Sequence, residues 1–144
     1  MWGNSKNKVR SSKIETLIGQ DIEIHGDVKF SGGLHLDGKI IGNAMAEVGG
    51  NSVFIISDKG RVEGDISVSY AIINGEVIGN VYASEKLELS GGARITGNVH
   101  YSLLEMASGA EVNGKMVHES EKKRLEHYVS DEVDDENLRG TEPV

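Results

Sequence analysis

The chain has 144 residues, 38% of them hydrophobic, with 19 glycines, one proline and no cysteine, a length that suits one domain with a real core. Glycine at about twice its ordinary usage beside almost no proline argues against collagen-like and Pro/Gly low-complexity classes, so the glycines need a folded explanation. The lack of cysteine excludes disulfide scaffolds and thiolate chemistry, and no apolar run reads as a spanning helix or signal-peptide core, which predicts a soluble or peripheral cytoplasmic protein.

The net charge of −8 is unevenly placed. Residues 1–13 hold four cations and no acid, residues 14–118 hold 14 acids and 7 bases, and residues 119–144 hold nine acids and four bases. An acidic body repels a polyphosphate backbone, so a nucleic-acid partner is not expected.

In chain order, residues 1–13 are polar and unpatterned, which predicts a disordered basic tail. Its Met1 and Trp2, followed by Lys6, Lys8 and Arg10, pair an interfacial aromatic with cations worth about 1 kcal/mol each near anionic lipid. That makes a weak membrane anchor, which avidity would strengthen.

From residue 14 to 118 a short pattern recurs: an aliphatic residue, any residue, Gly, a turn-type or charged residue, then an aliphatic residue. It reads Ile24-His25-Gly26-Asp27-Val28, Val62-Glu63-Gly64-Asp65-Ile66, Ile95-Thr96-Gly97-Asn98-Val99 and Val112-Asn113-Gly114-Lys115-Met116, with shorter copies at Ile41-Gly42-Asn43-Ala44 and Ile78-Gly79-Asn80-Val81. The marker glycines are spaced by 16, 22, 15, 18 and 17 residues. Second turns precede the strand that ends at the next marker, at Ser31-Gly32-Gly33, Ser57-Asp58-Lys59-Gly60, Ser90-Gly91-Gly92 and Ser108-Gly109-Ala110. Between turns, aliphatic and polar residues alternate as in Lys86-Leu87-Glu88-Leu89, the period of a strand with one face inside.

Glycine interrupts every helical window in this segment and β-branched residues dominate. Short strands, three per repeat of about 18 residues, describe a parallel β-solenoid. Six coils at ~4.8 Å each predict a rod roughly 25–30 Å long. Gly followed by Asn or Asp suits corners that need positive φ, and stacked coils would align those side chains into a surface ladder. The 22-residue interval contains residues 46–52, which read as a loop bulging from one coil. Residues 119–144 read as an acidic, mostly disordered tail, with a short helix possible over Glu119 to Val129.

No catalytic set emerges. The histidines His25, His35, His100, His118 and His127 lack the close spacing of metal ligands. His100 and His118, 18 residues apart, are expected to stack on the outer surface, and His35 to face solvent. Ser-Gly-Gly at 31–33 and 90–92 lacks the ending of a phosphate loop, and pairs such as Asp58 with Glu63 are not placed across a cleft. No cofactor is expected.

A solenoid without caps leaves unpaired backbone around an exposed aliphatic interior at both ends, a template for another copy. The candidate polymer interface is Leu17, Ile18, Ile22 and Ile24 at one end and Leu103, Leu104, Met106, Val112 and Met116 at the other.

The run Thr16-Leu17-Ile18-Gly19, the Leu36-Asp37-Gly38 step, the repeated Gly-Asn/Asp corners and the closing Ser108-Gly109-Ala110-Glu111-Val112-Asn113-Gly114 resemble the bactofilins, polymer-forming bacterial cytoskeletal proteins. The resemblance covers about 14–118. It implies a right-handed parallel β-helix that assembles without nucleotide into non-polar filaments by head-to-head and tail-to-tail contacts, with roles in cell shape and in placing cell-wall enzymes or their membrane regulators. It also implies an N-terminal peptide that targets the inner face of the cytoplasmic membrane, to which Met1-Trp2 with Lys6 and Lys8 is similar, although many members carry phenylalanine at Trp2. Where many members carry an aromatic two residues before the final glycine, this chain has Val112. The rival reading is a left-handed hexapeptide helix of a trimeric acyltransferase or gamma-type carbonic anhydrase, prompted by Ile18, Ile24, Phe30 and Leu36 at intervals of six. That lattice decays after Gly42, and the metal histidines of those enzymes are missing. A wall-binding or adhesin solenoid would need an export signal.

Overall fold

The computed structural model describes residues 14–47 and 50–119, and among them there is no helix. The first coil comprises β1 (Ile14–Ile18) and β2 (Glu23–His25), the second β3 (Val28–Phe30), β4 (Gly33–Leu36) and β5 (Lys39–Ile41), and the third β6 (Ala44–Ala46), β7 (Val53–Ile56) and β8 (Arg61–Glu63). The next three coils pair a long strand with a short one: β9 (Ile66–Ile73) with β10 (Glu76–Ile78), β11 (Val81–Leu89) with β12 (Arg94–Thr96), and β13 (Val99–Met106) with β14 (Glu111–Asn113). A last strand, β15 (Met116–His118), opens a further turn.

Every pairing is parallel and joins one coil to the next. The short strands stack as a six-stranded sheet, β2-β5-β8-β10-β12-β14, and the remainder form a nine-stranded sheet bent along its length. This is the parallel β-solenoid read from the repeat, and its core is built from stacked columns of like residues. Ile24, Ile40, Val62, Val77, Ile95 and Val112 are in register through the six-stranded sheet, and the four middle members are wholly buried. In the facing sheet Leu34, Phe54, Ala71, Leu87 and Leu104 form another column, where the largest member stacks on the smallest so that the summed width is kept.

The corner between β2-type strands and the following strand is made by the marker glycines. Gly42, Gly64, Gly79, Gly97 and Gly114 all have φ of 148–156°. A Cβ at Gly79 would stand 2.1 Å from the carbonyl oxygen of Gly64, so glycine is required there by close approach as well as by its dihedral. The next residue supplies the predicted ladder. The Oδ1 atoms of Asp27, Asn43, Asp65, Asn80 and Asn98 accept the backbone N–H of Asn43, Asp65, Asn80, Asn98 and Lys115 at 2.9–3.0 Å.

Two features depart from the sequence reading. From the fourth coil onward the first two strands fuse, because the bend between them carries serine instead of glycine and the backbone pairs straight through it. Those serines tie the coils together: Ser69 N donates to Ser52 Oγ at 3.0 Å, and Ser102 Oγ donates to the Ser84 carbonyl at 2.7 Å. The Ser31-Gly32 step also lies at this bend, so it is not equivalent to the turns at Ser57 and Ser90. Those turns form the third corner, closed by Gly60 N to Ser57 O at 2.9 Å and Ala93 N to Ser90 O at 3.0 Å.

The uneven glycine spacing follows from the same geometry. The third corner takes four residues in the third, fifth and sixth coils but only two, Asp37-Gly38 and Asn74-Gly75, in the second and fourth. The fifth coil adds a bulge between Ala83 and Lys86, opposite the single residues Ser69 and Ser102. The 22-residue coil is long because six residues connect β6 to β7, where two connect β3 to β4. That connection is tied back where Ser69 Oγ donates to the Gly50 carbonyl at 2.8 Å.

Replacing an inner corner glycine must move backbone, whereas the first one has open space, with nothing within 4 Å of a Cβ at Gly26. Gly79→Ala is therefore expected to cost about 3 kcal/mol of stability and Gly26→Ala nearer 1 kcal/mol. Urea unfolding of the two variants measures the difference, and equal losses would contradict the close approach.

Candidate functional site: the two open ends of the coil

Among the described residues, the solenoid begins and ends on strands with no further strand beyond them. At one end β1, β2 and β3 are each paired on one side only, with β4, β5 and β6. At the other, the second half of β13 pairs only with β11, β14 only with β12, and β15 only with β13. The parity of the core columns decides which side chains cover each end. Ile18 and Ile24, with Val28 and Phe30, stand over the interior at the first end, and Leu104, Met106, Val112 and Met116 at the second. Ile18 is still buried, but Met106 is 44% and Met116 39% exposed.

The other predicted interface residues sit differently. Ile22, 48% exposed, occupies the corner whose carbonyl accepts the Lys39 N–H. Leu17 is in register with His35, and Leu103 with Lys86, so both point outward from the flank of the rod. Both adjoin inward residues in the chain, yet alternation turns them away from the ends. Val28 and Phe30 are the members that sequence reasoning missed. The signal is the apolar-polar alternation of Val28-Lys29-Phe30, and the register with Ala44 and Ala46 turns both side chains inward.

The histidines also need correction. His100 is in register with Val117, and His118 with Tyr101, so His100 and His118 do not stack on each other. The coil between them has 17 residues by its glycines, and the 18-residue separation therefore falls one position off. His100 instead lies on the ring of Tyr82, centroids 4.7 Å apart, with its Nδ1 3.1 Å from Glu119 Oε2. His35 is half-exposed beside Asp37, 3.0 Å away.

Ion pairs run along the outside of the six-stranded sheet. Arg61 bridges Glu63 and Glu76, and these two carboxylates raise its pKa above the usual guanidinium value. The Ser57 hydroxyl, followed by His35 and Lys59, holds the Asp37 carboxyl below its ordinary range. One shallow depression among the described residues, about 510 Å³, is lined by Lys29, Phe30, Ser31, Met45, Ala46 and Glu47. Among the described residues no group of three or more histidines and acids is placed to hold a metal, and no helix is long and apolar enough to cross a membrane.

The family profile described as "Bactofilin: Polymer-forming cytoskeletal" matches residues 16–117. This chain belongs to the bactofilin family. Bactofilin BacO of Myxococcus xanthus is 31% identical over 101 residues, covering 70% of this chain and 77% of that protein. Bactofilin BacP of the same organism is 27% identical over 113 residues, 78% of this chain but 45% of the longer relative. No solved structure gives a significant match. Family membership thus makes this a polymer-forming cytoskeletal protein. The residues expected to target the membrane, Met1, Trp2, Lys6, Lys8 and Arg10, lie outside the described residues, as does the expected helix beyond Glu119.

The Asp37 network has a defined pH signature. A carboxyl held below its ordinary value of 3.8 contributes stability that is complete above that value and is lost as pH falls through the lowered one. Ser57→Ala removes the leading cause, so the loss is expected to begin at higher pH. NMR titration of the Asp37 carboxyl in both proteins reads this directly, and identical midpoints would refute the assignment.

Proposed function

We propose that this bactofilin is a bacterial cytoskeletal scaffold whose rods join end to end, without nucleotide, into non-polar filaments on the inner face of the cytoplasmic membrane. There the filaments support cell shape and position cell-wall enzymes or their membrane regulators. The observation that carries self-assembly is the coincidence, at both ends, of unpaired strand edges with aliphatic side chains over the core. Such an edge pairs with another chain unless it is blocked, and a second copy satisfies both the backbone and the apolar surface.

The ladders favour like ends meeting. Continuing the coil head to tail would set the Asp27 N–H against Lys115, whose side chain has no acceptor, and Glu111 of one copy over Glu23 of the next. Head-to-head and tail-to-tail contacts have no such ladder to continue. Membrane association is supported by Trp2 and the neighbouring cations, with weak anchors multiplied along a polymer. The cell-wall role rests on family resemblance. The acidic body, with 14 acids and 7 bases over 14–118, disfavours nucleic acid. No catalytic step or cofactor enters the reading.

Negative-stain microscopy of the purified protein without nucleotide is expected to show filaments a few nanometres wide. Uniform compact trimers would instead favour the acyltransferase-like or carbonic-anhydrase-like alternative. Leu104→Arg or Val112→Arg places an unpaired charge in an end contact, at a cost of several kcal/mol, and short, soluble, folded species should result. Filaments of unchanged length would refute that contact. Trp2→Ala is expected to lower co-sedimentation with anionic liposomes several-fold, and equal sedimentation would defeat the anchor.

A further inference from the structure

The flank of the rod formed by β4, β7 and the second halves of β9, β11 and β13 is unusual on its solvent side. One outward column runs Leu17, His35, Ile55, Ile72, Glu88, Glu105, and the next runs Val53, Tyr70, Lys86, Leu103. In the third and fourth coils every outward residue of these columns is apolar, although alternation would place polar groups there. Tyr70 is 36% exposed, and Leu17 beside the patch 63%. In the fifth and sixth coils the first column turns acidic with Glu88 and Glu105, while the second holds Lys86, engaged with Glu105 at 3.3 Å, and Leu103. An apolar patch bordered by carboxylates calls for an occupant that is apolar at one end and cationic beyond it.

A second copy fits poorly, because each flank brings the same acidic border and an acidic body. The chain itself contains the complementary segment. Residues 1–13 combine Met1 and Trp2 with Lys6, Lys8, Arg10 and Lys13 and no acid. They enter the fold at Ile14, the start of the strand that begins this flank. Tyr70 and Ile72 lie three coils further on, about 14 Å away at strand spacing, while the 12 residues from Trp2 to Ile14 can span up to about 40 Å.

We propose that the Val53, Ile55, Tyr70 and Ile72 patch is the docking site of the chain's own N-terminal segment, with Trp2 on the apolar surface and its cations toward Glu88 and Glu105. Docking would withdraw Trp2 from lipid and make patch and membrane competitors for one aromatic. The inference does not depend on the membrane reading, since docking is measured without lipid.

Trp2 is the only tryptophan, so the emission of the full chain reports its surroundings alone. The expected result is blue-shifted emission and acrylamide quenching several-fold weaker than in a synthetic peptide of residues 1–13. Ile72→Lys and, separately, Glu88→Lys should restore peptide-like quenching while the circular dichroism of the coil is unchanged. Quenching in the wild-type chain equal to that of the peptide would overturn the proposal. So would protection that survives both substitutions, or that disappears on dilution to short species, since each would put Trp2 on another surface or another copy. Vesicle binding by a chain whose Trp2 is fully quenchable without lipid would leave the anchor standing and sink the docking.

Discussion

At one corner of each coil the backbone passes its neighbour so closely that the space for a side chain disappears. From Gly42 to Gly114, the carbonyl oxygen of the preceding corner glycine lies 2.0–2.2 Å from the place a Cβ would take. The rest of the rod hangs on that approach. It brings the Asx oxygens within hydrogen-bonding distance of the next N–H, sets the parallel register of both sheets, and keeps the aliphatic columns in line. A lattice that repeats by contact between equivalent residues has no internal signal for stopping, and this is the physical root of its tendency to assemble. Apart from Lys115, which ends the Asx ladder, the terminal coils carry the same inward residue types as the middle ones and lack a neighbour.

That difference is enough to give the ends their chemistry. Ile40, Val62, Val77 and Ile95 are wholly buried in one column, while Ile24 and Val112, its first and last members, are only partly covered. The residue types are the same throughout. What changes is the absence of the next layer, so a second copy at the end restores an environment the sequence was already built to fill. The end-to-end contact proposed above therefore needs no separate binding surface.

Much of this was legible in the residues alone. The Gly-Asn and Gly-Asp corners and the aliphatic alternation led to the parallel solenoid because both signals are local: one is a dihedral requirement and the other a period. What was not legible depended on counting residues across coils of unequal length. His100 and His118 were matched by an 18-residue step where the coil has 17 residues, and the register pairs His118 with Tyr101 instead. Leu17 and Leu103 were assigned to the ends by neighbourhood, although alternation turns them outward. The serine contacts of Ser52, Ser69, Ser84 and Ser102 went unread because serine at a bend has no dihedral signature comparable to glycine's.

The inequality of the coils has a further consequence. A chain made of near-identical repeats risks threading a coil onto the wrong partner, trapping a skipped or doubled layer during folding. Here the four-residue and two-residue corners alternate over the first five coils, the register shifts between Ile14 and Thr16 in the first coil and between Ala83 and Lys86 in the fifth, and Phe54 stacks on Ala71. Each coil is thereby distinguishable from the one beside it. The irregularities act as addresses, allowing a repetitive sequence to fold in a single order.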